Sequence, residues 1–336
     1  MKTAVVILNW NGRKLLERYL GSVVRYTPNA EVIVADNGST DDSLVWLRMN
    51  YPEVRTILLD KNYGFAGGYN RALKAVDADY VVLLNSDVEV TAGWLEPMVE
   101  VLDNSADIAV VAPKLRSVAE PKRFEYAGAA GGFIDYLGYP FCRGRILSTV
   151  EEDCGQYDDR RDIFWASGAA MCCRREVFVA MGGFDEDFFA HMEEIDLQWR
   201  MQLGGWRIAV EPRSVVYHLG GGTLPASPNK IYLNHRNNLA MLFKCSSPKQ
   251  RMVVAVLRPF TDIAEALAHL LMLRPRNAWA ILRAWWAFIK WHKMLGRKRR
   301  EVVRREGVEL RGIYPHSIIV RYIFGKRTFN KVGSIN

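Results

Sequence analysis

The sequence is poor in the features that mark secreted and membrane-spanning proteins. Its 336 residues include five cysteines, which are odd in number and form no C-x-x-C pair. This pattern argues against a disulfide framework or a zinc site and predicts reduced thiols in a cytosolic protein. The N-terminus lacks the long apolar core and cleavage site of a signal peptide, so none is predicted. No uninterrupted apolar run reaches the roughly 18 residues of a transmembrane helix.

Two common phosphate-binding motifs are also missing. The glycine-rich stretch at residues 64–68 has the spacing of neither a P-loop nor a dinucleotide-binding fingerprint. It can contact a ligand, or it can form a tight entry that lets a helix pack close to a sheet.

The composition is that of a globular protein with an excess of positive charge. Apolar residues make up 49% of the chain and charged residues 24%, which is enough for a sizeable core. The length predicts one large domain or two smaller ones. The formal net charge of +8 points to anionic partners: nucleic acid, phosphorylated small molecules or an acidic membrane surface.

Strand-like and helix-like patterns alternate between residues 3 and 112. Apolar runs predict strands at 4–8, 31–35 and 54–59 and within 79–90. Ser39 or Thr40 is predicted to N-cap a helix with Asp41 and Asp42 in its first turn. This rhythm predicts a mostly parallel sheet with helices on both faces.

Asp87 follows the most apolar of these predicted strands. Ligands bind outside the carboxyl ends of the strands in open α/β sheets, so Asp87 is placed where chemistry is expected. A carboxylate there suits a divalent metal such as Mg²⁺ or Mn²⁺, which in turn binds phosphate oxygens. Alternatively, the sequence Asn-Ser-Asp at 85–87 only turns the chain.

Three later segments are candidates for the rest of a site. The irregular stretch 113–162 is predicted either to line an acceptor pocket or to be a surface insertion. Glu193 and Glu194 are neighbours, so on a helix only one of them faces a given pocket. Such a carboxylate near aromatic residues can act as a general base, although a solvated helix face is the simpler interpretation. His218 follows an apolar strand and precedes a flexible glycine run, and is either structural or a metal ligand.

Several motifs in order resemble the inverting nucleotide-sugar glycosyltransferases of family 2, which have the GT-A fold. They cover roughly residues 3–240 and comprise VVILNWNG (5–12), VADNGSTD (34–41), NYGFAGGYN (62–70), LNSD (84–87), GGFDE (182–186) and EEIDL (193–197). The resemblance implies a Rossmann-like, mostly parallel α/β sheet. It also implies a rhamnosyltransferase-like role in cell-surface glycan biosynthesis.

The resemblance implies a role for each matching residue. Asp87 resembles the metal-binding carboxylate of the family's D-x-D element, with Asn85 at its first acidic position, and His218 resembles a second metal ligand for Mg²⁺ or Mn²⁺. Glu194 matches the catalytic base, which is usually aspartate in the family. Trp165 and Glu193 are expected to bind the acceptor. The nucleotide is expected to contact Asn9, Asp36, Asn62, Asn70, Asn85, Ser86 and Asp87.

The implied reaction moves a sugar from a UDP- or dTDP-sugar to a hydroxyl of a glycan or lipid-linked acceptor. It proceeds by a single displacement with inversion, assisted by the carboxylate base and the metal. The predicted domains are a catalytic domain at 1–245, with a nucleotide-binding half at 1–112 and an acceptor-binding half at 113–245, and a helical extension at 246–336.

The predicted C-terminal extension is basic and rich in tryptophan. Basic residues recur every seven positions along a predicted helix, with Trp279 and Trp286 beside them; they are Arg276, Arg283, Lys290, Arg297 and Arg304. Such a face predicts that residues 250–305 bind an anionic membrane surface, peripherally and on its cytoplasmic side. The alternative is a helix packed on the catalytic domain. Nucleic acid is not predicted, because no recognised binding motif accompanies the basic residues.

Two other functions compete with transfer. One is a non-catalytic nucleotide-sugar-binding or scaffold protein, in which Asn85 and Glu194 reflect decay of the site. The other is a sugar-phosphate nucleotidyltransferase, which places a glycine-rich loop with an arginine after its first strand. The corresponding residues 9–13 here contain only one glycine, which argues against the second alternative.

Overall fold

The computed structural model describes residues 1–220 and 227–333, so Gly221 and Gly222 of the predicted glycine run lie outside the described residues. The helices are α1 Arg13–Tyr26, α2 Ser43–Asn50, α3 Gly64–Ala72, α4 Glu96–Asn104, α5 Arg175–Ala180, α6 Glu193–Leu203, α7 Pro228–Cys245, α8 Pro248–Leu271, α9 Pro275–Glu301 and α10 Ile318–Ile323. The strands are β1 Thr3–Asn9, β2 Glu31–Asp36, β3 Arg55–Leu58, β4 Tyr80–Asn85, β5 Val88–Val90, β6 Ile108–Ser117, β7 Gly132–Asp135, β8 Pro140–Cys142, β9 Arg145–Ile146, β10 Thr149–Val150, β11 Arg161–Asp162, β12 Ala170–Arg174, β13 Arg207–His218 and β14 Ile313–Tyr314.

The larger sheet has a parallel half and a mixed half. Its order is β11-β13-β6-β12-β4-β1-β2-β3, with β5 beside β13. β1 to β4 pair in parallel, whereas β12 runs antiparallel to both β4 and β6. Val5 and Val82 at its centre are fully buried, as expected for strands covered on both faces. The predicted α/β class is confirmed; β1 to β4 pair in parallel, as do β6 and β13, and the antiparallel strands are β12, β5 and β11.

The sequence predicted the position of α1 correctly but misplaced the start of α2. The apolar spacing correctly predicted α1, which buries Leu16, Tyr19, Leu20 and Val23 against the sheet. The predicted start of α2 was wrong, because this helix begins at Ser43 and Asp41 precedes it. The Asp41 carboxylate accepts a hydrogen bond from the Ser43 amide at 3.1 Å. The Ser39 amide is bound to Asp36 instead, at 2.9 Å, which keeps Ser39 in the preceding loop.

The segment 113–162 builds most of a second sheet. Its order is β10-β9-β8-β7-β14, and β14 comes from near the end of the described chain. Aromatic rings fill one side of this sheet, with Phe329 4.9 Å from Phe133 and 5.8 Å from Tyr157 between ring centroids. Phe133 and Tyr157 are buried, so the segment is part of the core rather than a surface insertion.

The C-terminal helices pack against α7 and do not form a separate body. α9 buries Ala278, Ile281, Ala284 and Leu295. The boundary predicted at residue 245 coincides with the end of α7, but β14 returns to the second sheet. The predicted basic stripe runs along α9 only as far as Arg297, because the helix ends at Glu301 and Arg304 lies beyond it. Among the described residues, no helix combines the length and hydropathy required to cross a membrane.

Gly38 is required by the backbone of the loop after β2. Its φ is +72°, and a Cβ there would lie 2.5 Å from the Cα of Lys61. We expect Gly38→Ala to lower the free energy of unfolding by about 2 kcal/mol or more, measured by urea denaturation. The matched control is Gly296→Ala in α9, where a Cβ meets no atom within 4 Å. The control should raise stability by up to about 1 kcal/mol, and equal effects of both changes would contradict the steric argument.

Candidate active site

The carboxyl ends of β1, β2 and β4 meet at one edge of the larger sheet. Asn9 pairs with Asp36, and Leu8 pairs with Asn85, so these polar side chains follow the strands side by side. The Asn9 amide donates to the Asp36 carboxylate at 3.0 Å. Both side chains are buried, and Asn9 Oδ1 has no hydrogen-bond partner among the described residues. This edge therefore keeps an acceptor atom and a carboxylate in place below the adjoining loops.

Asn62 and Asn70 hold the loops around this edge. Asn62 Oδ1 accepts from the Gly64 amide at 2.8 Å and from Asn37 at 3.1 Å. Asn70 exchanges two hydrogen bonds with the backbone of Phe184, each of 2.9 Å. These contacts give both residues a structural role, and their predicted contacts to a nucleotide stay predictions.

The glycines at the start of α3 serve close packing. A Cβ at Gly68 would lie 2.8 Å from the side chain of Leu8 on β1, and one at Gly64 would lie 2.6 Å from Phe189. The glycine-rich stretch thus lets α3 approach both the sheet and the loop before α6. Of the two interpretations of this stretch, the structure supports tight helix entry.

A histidine lies between two buried carboxylates beyond β4. His218 Nε2 is 3.1 Å from Asp87 Oδ1, and His218 Nδ1 is 3.4 Å from Glu125 Oε1. All three side chains are less than a tenth exposed. Burial alone would lower the pKa of His218, but hydrogen bonds to Asp87 and Glu125 outweigh it and raise that pKa to about 10. The imidazolium thereby balances two carboxylates that would otherwise repel each other in a buried site.

Asp87 and His218 fit a divalent metal by their chemistry, because they offer a carboxylate oxygen and an imidazole nitrogen 3.1 Å apart. Glu125 faces the other ring nitrogen, His218 Nδ1, and so lies outside the pair that would hold the ion. An imidazole must lose its proton to ligate a metal, so loading would release one and replace its charge by that of the ion. Asp87 and His218 are the predicted ligands, and Glu125 is the neighbour that sequence patterns missed.

A strained loop precedes α6, where Glu193 and Glu194 begin the helix. Phe189, His191 and Met192 have positive φ angles of 65°, 71° and 69°, which cost energy in residues other than glycine. Asn237 on α7 donates to the carbonyl groups of Phe188, Ala190 and His191 at 3.1, 2.9 and 2.7 Å. The loop conformation is therefore imposed from outside by α7.

Glu193 is buried and Glu194 is partly buried, so neither lies on a solvated helix face. Glu193 is 4% exposed, and the Oε2 atoms of both Glu193 and Glu194 lack hydrogen-bond partners among the described residues. Burial raises the pKa of Glu194 to about 7. Burial, together with the adjacent charge of Glu194, raises the pKa of Glu193 well above its ordinary value. Burial also lowers the pKa of His191 to about 4, assisted by the charge of Lys230.

Glu194 is connected to the edge of the sheet through the segment before β12. A Cβ at Gly168 would lie 3.9 Å from Glu194 Cβ, and the neighbouring Ala169 carbonyl accepts from the Asn85 amide at 2.9 Å. The structure thus brings the base candidate and the residues near Asp87 to one region. Trp165 lies behind this segment, 4% exposed, and donates to the Phe133 carbonyl at 3.0 Å. Its ring has a packing role, and its predicted acceptor contact stays a prediction.

Sequence patterns missed three side chains of this region. Glu125 lies in an irregular segment, His191 is an isolated residue before α6, and Asn237 lies within α7. None belongs to a spaced motif, so only the fold reveals their positions.

The parallel half of the larger sheet, the acidic turn after β4 and the partly buried glutamate near it agree with the GT-A fold. Solved structures share this fold. Against GalNAc-T7 with UDP, GalNAc and Mn²⁺ the TM-score is 0.61 at 18% identity, with 77% of this chain and 50% of that chain covered. Against the mannosyltransferase PcManGT from Pyrobaculum calidifontis with GDP-Man and Mn²⁺ the TM-score is 0.52 at 14% identity, with 97% and 88% covered.

Sequence comparison identifies the family. The model of glycosyl transferase family 2 matches residues 4–156. The N-acetylglucosaminyl-diphospho-decaprenol L-rhamnosyltransferase of Mycobacterium tuberculosis is 30% identical over 230 residues, which are 64% of this chain and 75% of the relative. The chain belongs to glycosyltransferase family 2 and is a transferase enzyme. The family resemblance predicted from the sequence motifs is confirmed.

We expect metal-dependent nucleotide binding to require Asp87. UDP, dTDP, GDP and CMP are each added with Mn²⁺ or EDTA, and thermal unfolding is followed. A ligand at 100 times its Kd adds about 2.7 kcal/mol to stability, which raises the Tm of a chain this long by roughly 4 °C. Asp87→Asn should abolish the Mn²⁺-dependent shift and Glu125→Gln should weaken it. The control Glu89→Gln, an exposed carboxylate on β5, should keep it. A full shift in Asp87→Asn would remove Asp87 from the metal site.

Proposed function

We propose that this enzyme transfers a sugar from a nucleotide diphosphate donor to an acceptor hydroxyl with inversion, in a single displacement. Glu194 takes the proton from the acceptor hydroxyl as its oxygen attacks the anomeric carbon, and the bond to the nucleoside diphosphate breaks as the new bond forms. The observation that carries this proposal is the enclosed Glu194 Oε2 atom, which has no hydrogen-bond partner among the described residues. Desolvation raises the pKa of Glu194 to about 7, which suits a base at neutral pH. Glu193 and Trp165 are assigned to the acceptor side.

Asp87 and His218 are assigned to the metal, for which we propose Mg²⁺ or Mn²⁺. A bound divalent ion stabilises the charge that develops on a leaving diphosphate. Glu125 orients the imidazole of His218 from the opposite side, at 3.4 Å. Asn9, Asp36, Asn85 and Ser86 line the edge proposed for the nucleotide.

The donor and acceptor classes follow from relatives rather than from this chain alone. GalNAc-T7 was solved with UDP and Mn²⁺, and the mycobacterial relative is named for an L-rhamnosyl transfer to N-acetylglucosaminyl-diphospho-decaprenol. We propose a UDP- or dTDP-sugar as donor and a glycan or lipid-linked sugar as acceptor. If the protein only binds nucleotide-sugars without catalysis, it needs no carboxylate at position 194. If it is a nucleotidyltransferase, the reaction should release pyrophosphate.

Transfer should depend on pH through Glu194. A base must be deprotonated to act, so the rate should fall about tenfold per pH unit below pH 7 and level off above it. Glu194→Gln should remove transfer at every pH, whereas Glu194→Asp should keep part of it. Initial rates between pH 5.5 and 9 test this.

As a control, nucleotide with Mn²⁺ should raise the Tm of Glu194→Gln as much as it raises the Tm of the wild type. That result would show that the variant still folds and binds the donor nucleotide. Normal turnover by this variant, or a wild-type profile that is flat between pH 5.5 and 8, would contradict the assignment of the base.

Membrane association is proposed because α8 has polar residues on its inward side and apolar residues on its outward side. Its inward side contains Arg258 and Asp262, each at most 1% exposed. Its outward side is apolar; Val256, Phe260, Ile263, Leu267 and Leu271 are 61%, 70%, 52%, 55% and 86% exposed. A continuous apolar helix face is costly in water and is typical of an interaction surface.

Positive charge beside this face favours an anionic membrane over another protein. On α9, Trp279 and Trp286 are 62% and 59% exposed, and the Lys290 ammonium lies 3.4 Å from the Trp286 ring centroid. Tryptophan and basic side chains are suited to the headgroup region. We propose that α8 and α9 place the enzyme peripherally on the cytoplasmic face of a membrane.

Charge on the outward face of α8 should abolish vesicle binding. We expect Phe260→Glu/Leu267→Glu to lose binding to phosphatidylglycerol vesicles in flotation at low salt, because both residues would enter the apolar layer. Val45→Glu, which changes a 60% exposed valine on α2, is the matched control and should bind normally. A wild-type protein that stays off vesicles and forms a dimer through this face would contradict the proposal.

A further inference from the structure

Two adjoining cavities lie where the start of α7 meets the start of α9. Their volumes are about 310 and 300 Å³, and both are lined by Pro228. Cationic side chains from both helices surround them: Arg276 and Arg283 line one, and Lys230 and Arg274 line the other. Of the described residues that line the two cavities, none is an aspartate or a glutamate.

The arginines of these cavities are not neutralised by the protein. Among the described residues, Arg274, Arg276 and Arg283 have no carboxylate within ion-pair distance. Arg283 instead stacks on the Tyr232 ring, 4.2 Å from its centroid. The start of α7 adds partial positive charge, and its cap Ser227 accepts from the Lys230 amide at 3.2 Å. These exposed guanidinium groups suit a ligand with several negative charges.

The cavities lie between the proposed catalytic base and the proposed membrane surface. Lys230 lies seven residues before Asn237 on α7, which is about 10 Å along the helix axis. Asn237 is the residue that holds the loop before Glu194. The charge of Lys230 acts on His191 in that loop. On the other side, Trp279 lines the first cavity and the α8–α9 connection exposes Leu271 and Leu273, which are 86% and 89% exposed.

We propose that these cavities bind the diphosphate of a lipid-linked sugar acceptor. This proposal rests on the proposed function, because it gives the acceptor of that reaction a binding site. In such a molecule the diphosphate joins the lipid to the sugar. The order of sites in the protein is the same: apolar surface, cationic cavities and catalytic base. Arg276 and Arg283 contact the phosphate oxygens, and Lys230 lies on the side of the base.

A binding experiment tests the site without turnover. Farnesyl diphosphate, farnesyl monophosphate and farnesol are titrated by calorimetry in EDTA, which removes metal from the nucleotide site. The wild type should bind the diphosphate most tightly and farnesol least. Arg276→Gln/Arg283→Gln should weaken diphosphate binding at least tenfold, and the control Arg297→Gln, an exposed arginine on the same helix, should leave it unchanged. Equal affinities for diphosphate and farnesol, or no effect of the double variant, would overturn the proposal.

Two further measurements separate an acceptor diphosphate from bulk lipid headgroups. In transfer assays the double variant should raise the KM for a lipid-diphosphate acceptor at least tenfold, with the KM for the donor unchanged. If instead it weakens phosphatidylglycerol vesicle binding while farnesyl diphosphate affinity stays that of the wild type, the arginines serve headgroups and the proposal fails. Absence of transfer in every assay, with diphosphate binding lost in the double variant, would count against the proposed function alone.

Discussion

One buried ammonium group joins the helix of the proposed base to the C-terminal helices. Lys244, at the end of α7, lies 2.5 Å from Asp185 and 2.8 Å from Asp196 on α6, and Lys298 on α9 also contacts Asp185. Although burial opposes it, these two lysines hold the pKa of Asp185 well below its ordinary value. Removing one partner of a buried ion pair costs about 3–5 kcal/mol. The position of α6, and with it that of Glu194, therefore depends on helices that are outside the nucleotide-binding half.

A second buried polar cluster explains how α8 can present an apolar side to its surroundings. Asp262 accepts from Trp285 at 2.9 Å and from Arg258 at 3.3 Å, and His235 lies 3.8 Å away. The side chains of His235, Asp262 and Glu265 are close enough together to hold a cation. The adjacent guanidinium already supplies the balancing charge, so the cluster is better suited to locking three helices together. The cluster thus fixes which side of α8 faces the protein.

Much of the N-terminal half of the fold was predictable, because its strands are short, apolar and end in polar residues. Asp87 and Glu194 were proposed from motif order, and their roles stay predictions. The start of α2 was misplaced, because Ser39 and Thr40 are good caps by residue type. Contacts with Asp36 and Asn11 keep them in the preceding loop, and the helix is capped at Asp42. Glu125 could not be predicted, because its partner His218 is 93 residues away. Arg258 pairs locally with Asp262, but its inward contact with the Leu137 carbonyl is 121 residues away. Long-range pairings of this kind leave no local pattern.

The pairing of β14 with β7 has a consequence for biosynthesis. Ile313 pairs with Ile134, and Phe329 fills the core that Phe133 and Tyr157 begin. A ribosome adding about 5–20 residues per second needs roughly 10–40 s to travel between those partners. During that interval the parallel half can fold. The edge of β7 and the rings of Phe133 and Tyr157 stay uncovered until β14 and Phe329 have been synthesised. The second sheet is thus completed only after residues 313–329 have been synthesised.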